Sequence, residues 1–411
     1  MQPIRPLHDA IPPDRVQRVL VIKLRHHTDV LLSSPVFSVL KRHLPHARID
    51  ALVYADTAAM LSLHPAIDEV HVVERHWRRL GFFGHWSKEW HLFKLLRSCG
   101  YDLIVHLSEH PRGAWMARLL GADWAVAMSR HDPRWRNSFT HLYAHPRSAA
   151  RHAVECNLDA LRRIGIYPEP DERRLLLVPG REAEMRVAAK MRDLGISPGK
   201  FIQIHPASRW FFKCWPVEYT ACLIEMLQAT GQTVVLTAAP SRDEKILVEA
   251  IQKRLRRPAL SVAGGLTVKD MAALAARSRL FIGVDSAPLH IATAVGTPVV
   301  ALFGPSNEKH WGPWGVPHRV MKSEHSCRPC GMEGCGGGRL SDCLQSVTPE
   351  AVFVAVRELL AETELQASAR QKAFEQDVEK APAHFRWEDA FSRDDEHAFG
   401  GSSLQQWHDV L

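Results

Sequence analysis

The sequence is poor in cysteine and contains no long apolar run. Eight cysteines in 411 residues are too few for a disulfide scaffold, so they are expected as thiols or metal ligands in a reducing compartment. No uninterrupted apolar stretch approaches the roughly 20 residues that span a bilayer. The proline-studded start, 1–14, has no apolar core and does not read as a secretory signal. A cytosolic protein is expected. A glycine-rich turn is also missing after the first apolar strand pattern. Lys23-Leu24-Arg25-His26-His27-Thr28-Asp29 stands there instead, which argues against a nicotinamide or flavin enzyme. Zinc-finger, helix-turn-helix and RNA-binding signatures are lacking too, so nucleic acid is the weakest candidate partner. With 46% apolar and 24% charged residues, the chain is an ordinary globular one, not disordered, collagenous or coiled-coil overall. Its length suggests two or three domains.

Charge is unevenly spread. The whole chain carries +7, but residues 1–200 hold 30 basic and 21 acidic residues, against 22 and 24 in residues 201–411. The basic excess belongs to the first half. It reads either as a solvated surface or as a face for something anionic, such as a phosphorylated glycolipid or an acidic membrane.

Short β-branched runs alternate with helical patterns. Strands are expected at 18–24, 48–54, 69–73 and 101–107, with helices at 30–44 and 87–98. The pattern pauses across the proline- and glycine-bearing stretch 168–198, where a domain boundary is expected, with a helix near 181–194. A second series follows, with strands at 201–205, 233–237, 280–284 and 298–303. Its helices are expected at 216–230, 241–255, 288–295 and 349–362. Such alternation builds parallel sheets covered on both faces. The chain therefore divides into an α/β domain at 1–185, a second at 186–360, and an acidic tail at 361–411, loosely structured or packed on the outside. Two tandem doubly wound domains place a ligand cleft between them.

Three stretches carry candidate chemistry. Arg25, His26, His27, Thr28 and Asp29 stand at a strand's carboxyl end, opening a helix. Asp29 could cap that helix or act as a general base on a substrate hydroxyl. In the second half, Ser208, Arg209 and Lys213 converge on a loop after a strand, which suits the two phosphates of a sugar nucleotide. Gly283-Val284-Asp285-Ser286-Ala287-Pro288-Leu289-His290 ends a strand and opens a small-residue helix. Ser286 can cap it, Pro288 sits in its first turn, and its N-terminus can hold an anion.

Together these stretches resemble the bacterial lipopolysaccharide heptosyltransferases, glycosyltransferase family 9, and most of all their type III branch. The resemblance rests on VIKLRHHTDVLLSSPVF, IHPASRWFFKCWP and FIGVDSAPLHIATAVGTPVVALFGPS followed by HWGPW. It covers about residues 17–360. It implies a GT-B fold, two Rossmann-like doubly wound parallel-sheet domains facing across a cleft, the first holding the acceptor and the second the donor. It implies inverting, metal-independent transfer of heptose from ADP-L-glycero-β-D-manno-heptose to the lipid A–core oligosaccharide, with no cofactor, at the cytoplasmic face of the inner membrane. By resemblance Asp29 is the general base, with Arg25, His26, His27 and Thr28 on the acceptor side. Lys213, Ser208 and Arg209 bind phosphate; Asp285, Ser286, Ala287, Pro288 and His290 bind the donor; and the backbone near Leu266 meets the adenine edge. The sequence departs from the family in two places. Thr28 replaces the usual glycine before the base, and no acid for the ribose stands out in the loop 238–244. Another GT-B transferase, a sugar-nucleotide epimerase or a non-catalytic glycolipid-binding relative are the alternatives.

Cys327, Cys330, Cys335 and Cys343 form one more constellation. Four thiols beginning with CxxC could bind zinc, but their spacings are not those of common zinc ribbons, and a reduced cysteine-containing loop is the leading reading.

Overall fold

A computed structural model describes residues 8–79, 82–144 and 151–380. The chain divides into two compact units, 1–360 and 361–411.

The first half of the larger unit runs β1 (Arg18–Ile22), α1 (His27–Leu31), α2 (Ser34–His43), β2 (Arg48–Tyr54), β3 (Glu69–Val73) and α3 (Phe82–Cys99). It continues with β4 (Leu103–His106), α4 (Pro111–Leu120), β5 (Trp124–Met128), α5 (Pro133–Arg136), β6 (His141–Tyr143) and α6 (Ala153–Arg163). The six strands form a parallel sheet ordered β3-β2-β1-β4-β5-β6. Strand pleating sends alternate residues to opposite faces. Val19 and Val21 join a core with Val30, Phe37 and Leu161, whereas Leu20 and Ile22 join another with Leu92, Leu96 and Trp135. Strands buried on both faces read as continuous apolar runs, which is why RVLVI carries no alternation.

The second half runs α7 (Arg181–Asp193), β7 (Phe201–His205), α8 (Val217–Ala229), β8 (Thr233–Leu236), α9 (Arg242–Gln252), β9 (Leu260–Ser261) and α10 (Val268–Arg277). It ends with β10 (Leu280–Val284), α11 (Ala287–Ala294), β11 (Val299–Leu302), α12 (Glu308–Trp311), β12 (His318–Met321), α13 (Asp342–Gln345) and α14 (Pro349–Lys380). Its sheet is again six-stranded and parallel, ordered β12-β11-β10-β7-β8-β9. Val352, Val356 and Leu359 of α14 pack with Ile202, Ile282 and Val300 beneath this sheet.

Several expectations shift. The helix expected over 30–44 is two helices, broken at Leu32–Ser33, because Pro35 occupies the second position of α2, where its missing N–H costs least. The junction expected at 185/186 falls inside α7. Ala183, Val187 and Met191 of that helix pack with Phe201, Val235 and Leu274, so α7 goes with the second sheet. The last helix continues past the expected end at Glu362 to Lys380, through good helix formers with no glycine or proline. The rest of the expected tail, 381–411, lies outside the described residues. Strands β5, β6, β9 and β12 were not expected. β9 has two residues, and β12 is a half-exposed edge bearing His318 and Arg319.

The two halves share apolar packing. Met271 and Ala272 of α10, with Ile291 and Ala294 of α11, belong to the same core as Val30, Leu31 and Phe37 of the first half. Helix α1 packs on α11. Polar contacts close the seam. His152 stacks on Trp314 at 4.4 Å between centroids and donates from Nε2 to the Gly312 carbonyl at 3.0 Å. Trp314 donates to Arg173 O at 2.7 Å, His310 to Arg151 O at 2.7 Å, and Lys269 to the carbonyls of Ser62 and Val178, both at 2.6 Å. The HWGPW segment is therefore the latch between halves.

At Gly113 in α4, an added Cβ would lie 1.7 Å from His106 Nε2, so the glycine lets the buried imidazole fill the space between helix and sheet. Gly113→Ala is expected to lower stability by about 1–3 kcal/mol through overpacking. The cost should vanish in a His106→Ala background. Equal urea midpoints for Gly113→Ala and its parent would refute the contact.

Candidate active site

Both sheets reverse strand order at their middle, between β1 and β4 in the first and between β7 and β10 in the second. Ligands of open α/β sheets bind outside the carboxyl ends of strands at such switch points. The three candidate stretches leave three of these four strands, β1, β7 and β10.

In the first half, Asp29 is the third residue of α1, and His26 holds the N-cap position without a side-chain cap bond. The capping reading of Asp29 is therefore corrected: its carboxylate is not tied to the helix's own amides. It lies 3.6 Å from Arg25 Nε, is only 15% exposed, and lines a cavity of about 250 Å³ together with Lys23, Arg25, Ser108, Glu109 and Trp311. Thr28 precedes it inside α1 with its carbonyl accepting from Leu32. A helical backbone needs no glycine there, so the departure from the family pattern introduces no strain. Desolvation, then the neighbouring Arg75, holds His26 below the usual imidazole range, and Arg209 of the second half adds to the effect. Arg209 and the acceptor-side loop thus lie within electrostatic reach.

Lys23 lines the same cavity and is a further candidate that the sequence reading passed over as part of a strand. It is buried, donating from Nζ to Leu107 O and to Asn157 Oδ1, both at 2.9 Å. Asn157 donates in turn to Leu32 O at 2.9 Å. Burial pushes the Lys23 ammonium down to about 8, and its place on the wall of the Asp29 cavity puts a cation beside the carboxylate. The signal available was a lysine ending an apolar strand one residue before the candidate loop.

In the second half, Lys213 ends a short 3-10 turn, Phe211–Lys213, and its Nζ lies 2.6 Å from Asp285 Oδ2. The two candidates taken separately from sequence are thus one ion pair across the β7/β10 switch point. Ser208 is buried, its Oγ accepting from Trp210 N at 3.3 Å, and the Arg209 guanidinium lies 5.6 Å from the Trp210 ring. Ser286 occupies the N-cap position of α11 but does not cap it; its hydroxyl turns back to Val284 O at 3.3 Å. Ala287 begins the helix. Pro288 has no N–H, and the Leu289 amide is bonded to Ser286 O at 3.2 Å, so the start of α11 offers fewer donors than the sequence suggested. His290 is fully buried and lines neither of the two cavities described here. Burial pushes it down to about 4, with Asp285, His152, Lys213 and Asp29 as its charged neighbours.

Glu244 is the second residue that sequence reasoning left unplaced. It is buried, accepts from Ala239 N at 2.8 Å and lies 3.7 Å from His205 Nε2. Of the two acids in the first turn of α9, Asp243 is exposed and Glu244 is the one turned inward. Leu266 is partly buried and packs against cores of both halves, just before Thr267 caps α10.

Lys213 lines a second cavity of about 490 Å³ with Trp210, Phe212, Asn307, Trp311 and Cys330. Trp311 also lines the Asp29 cavity. The two cavities share that indole as a common wall. The cysteine-rich loop therefore edges the site. No three of its thiols lie within 4.8 Å of one another; among the described residues such a gathering occurs only at Asp50, His71 and Cys99. The loop is held by Arg328, which donates to Gly304 O at 2.6 Å and to Ser323 O at 3.2 Å and pairs with Glu308. Cys327, Cys330 and Cys335 stay exposed while Cys343 is buried.

Two doubly wound domains with their switch points on adjoining cavities define the GT-B class of glycosyltransferase. The fold is shared with the glycosyltransferase family 9 structure from Veillonella parvula, at TM-score 0.73 and 23% identity over 86% of this chain and 99% of that one. It is shared also with E. coli heptosyltransferase WaaC with ADP, at TM-score 0.64 and 19% identity over 84% and 100%. The chain belongs to glycosyltransferase family 9: the profile described as Glycosyltransferase family 9 (heptosyltransferase) matches residues 89–339. It is 35% identical over 295 residues to lipopolysaccharide heptosyltransferase 3 of Escherichia coli, covering 71% of this chain and 84% of that protein. It is a glycosyltransferase.

Burial holds His205 and His290 neutral, at about 3 and about 4. Unfolded, each takes a proton below about 6.5. The unfolded state therefore binds more protons as pH falls from about 6.5 toward 4, and stability drops over that window. His290→Leu should lose less stability than the parent between about pH 7.5 and about pH 5 in urea melts. Equal losses would show that His290 is not held neutral.

Proposed function

We propose that the chain is an inverting transferase moving L-glycero-D-manno-heptose from ADP-heptose to the inner core of lipopolysaccharide, in the manner of heptosyltransferase III. The observation that carries this reading is the pairing of two cavities across Trp311, one holding the Asp29 carboxylate and the other the Lys213 ammonium. Inversion is a single displacement at the anomeric carbon. It needs a base on the acceptor hydroxyl and stabilisation of the departing diphosphate. Asp29 removes the proton from the acceptor held in the first cavity, with Lys23 and Arg25 keeping positive charge beside the carboxylate. Arg209 and Lys213 receive the diphosphate. On donor binding Lys213 exchanges Asp285 for phosphate oxygens, and Asp285 becomes an acceptor for donor hydroxyls. Glu244 takes the ribose, and the backbone near Leu266 takes the adenine edge. The positive potential the leaving group requires comes from Lys213 and Arg209, so the mechanism calls for no metal or organic cofactor. The likeness to heptosyltransferase 3, and to a fold relative seen with ADP, supports this donor and acceptor. The enzyme works in the cytoplasm at the inner membrane, where a lipid A–core acceptor would present itself to the basic first half.

Asp29→Asn preserves shape and hydrogen bonding while removing basicity. Turnover at saturating ADP-heptose should fall about 10²–10⁴-fold, with ADP affinity and thermal stability near those of the parent. Single-turnover transfer to heptose-deficient lipopolysaccharide measures it, and a rate within about threefold of the parent would remove Asp29 as the base. Lys213→Ala should weaken ADP binding by about 1.5–3 kcal/mol, the usual worth of a charge-assisted hydrogen bond. Calorimetry with ADP tests this, and unchanged affinity would take Lys213 out of the diphosphate site.

A further inference from the structure

The surface formed by α3 and α4 is not used by the chemistry above. The two helices run side by side, tied at one end by the Glu89–Arg112 pair and at the other by Arg97 donating to Leu119 O at 2.7 Å. Leu92 and Leu96 of α3, with Ala114, Met116 and Ala117 of α4, turn into the core. The outward ridge is aromatic. Trp90 is 53% exposed, Trp86 54% and Trp115 66%, with Leu119 also exposed. On α4, Trp115 stands in the same row as Arg112 and Leu119, three and four residues away, so it borders the α3 row of Glu89, Phe93 and Arg97. Cations lie over the rings: Lys94 Nζ is 5.5 Å from the Trp90 centroid, and the Arg97 guanidinium 5.9 Å from that of Phe93. Over the two helices Lys88, Lys94, Arg97, Arg112 and Arg118 face a single carboxylate, Glu89, which is already paired.

Indoles exposed among lysines and arginines match a bilayer interface. Trp prefers the headgroup level, where its ring is half solvated, and long cations reach anionic headgroups from the same plane. A protein-binding patch is generally poor in lysine at its centre; this ridge alternates ring and cation. We propose that the α3–α4 ridge docks the enzyme on an anionic lipid surface. α4 leads directly out of the Asp29 cavity, whose wall includes His106, Ser108 and Glu109. Docking there would bring the acceptor cavity to the membrane in which a lipid-linked acceptor is embedded. The proposal rests on the glycolipid-acceptor reading for its purpose, though not for its physics.

The test uses the full chain and vesicles of equimolar phosphatidylglycerol and phosphatidylethanolamine, with phosphatidylcholine vesicles as reference. The parent should co-sediment with the anionic vesicles, and high salt should weaken binding. Trp90→Ser combined with Trp115→Ser should weaken it by at least about tenfold, because interfacial aromatic burial is lost. Lys94→Glu combined with Arg118→Glu should weaken it by at least about twenty-fold, at about fivefold or more per cation, and remove most of the salt dependence. Transfer to a deacylated, soluble core oligosaccharide should be unchanged in both variants, and transfer to vesicle-embedded acceptor reduced. Failure of the parent to bind anionic vesicles, or binding unchanged in both variants, overturns the ridge as a lipid surface even if heptose transfer is intact. Absence of transfer to the soluble acceptor by the parent would instead count against the proposed reaction and leave the vesicle result to be read alone.

Discussion

The packing of α1 on α11 is the contact on which the rest of the site depends. Each helix begins directly after the central strand of its own sheet, β1 or β10, and so at that sheet's switch point. Val30 and Leu31 from one side and Ile291 and Ala294 from the other share one core. That shared burial ties the helix bearing Asp29 to the strand end bearing Asp285, and the residues are drawn together by apolar area rather than by any direct bond between them. Latch contacts at His152, Trp314, His310 and Lys269 fix the same relation farther out. They are mostly hydrogen bonds from a side chain in one half to a main-chain carbonyl in the other, which hold orientation without needing a particular partner side chain.

Within that frame the two sites are electrostatically opposite in design. The Asp29 carboxylate stands among cations, Lys23 and Arg25, one of them buried and discharged more easily than a surface lysine. The second-half site holds its cation in an ion pair. A Lys213–Asp285 pair at 2.6 Å keeps both groups desolvated at modest cost, since each offsets the other's charge. An incoming anion can then compete for the ammonium without the protein having to store an isolated buried charge. The buried histidines between and behind these groups, His290 and His205, are held neutral and contribute packing without adding charge to the cleft.

Much of the fold was legible in the residues. Both parallel sheets announced themselves through apolar β-branched runs, because strands covered on both faces must be apolar throughout. The elements that escaped did so for a physical reason: β12 carries His318 and Arg319 on a half-wet edge, and β9 is two residues long. Helix α1 was merged with α2 because periodicity continues across Leu32–Ser33, and only the position of Pro35 in a new first turn separates them.

Of the site, the sequence by itself determined which residue types stand at which strand ends. Asp29, Ser208, Arg209, Lys213 and Asp285 all follow strands in the order that one chain of α/β units dictates, and local pattern suffices for that. What it could not decide was pairing. That Lys213 meets Asp285, that Asn157 steadies Lys23, that Trp311 walls both cavities, and that Glu244 rather than its neighbours turns inward are contacts between residues 5 to 134 positions apart, with Trp311 brought to Asp29 from the opposite domain. The same holds for side-chain orientation: the Ser286 hydroxyl turns back from its helix to a strand carbonyl, and His290 is buried. Local sequence fixes backbone conformation and chemistry through short-range sterics, but which groups share a volume is set by how two sheets and their helices bury apolar area against one another, and only the tertiary structure contains that.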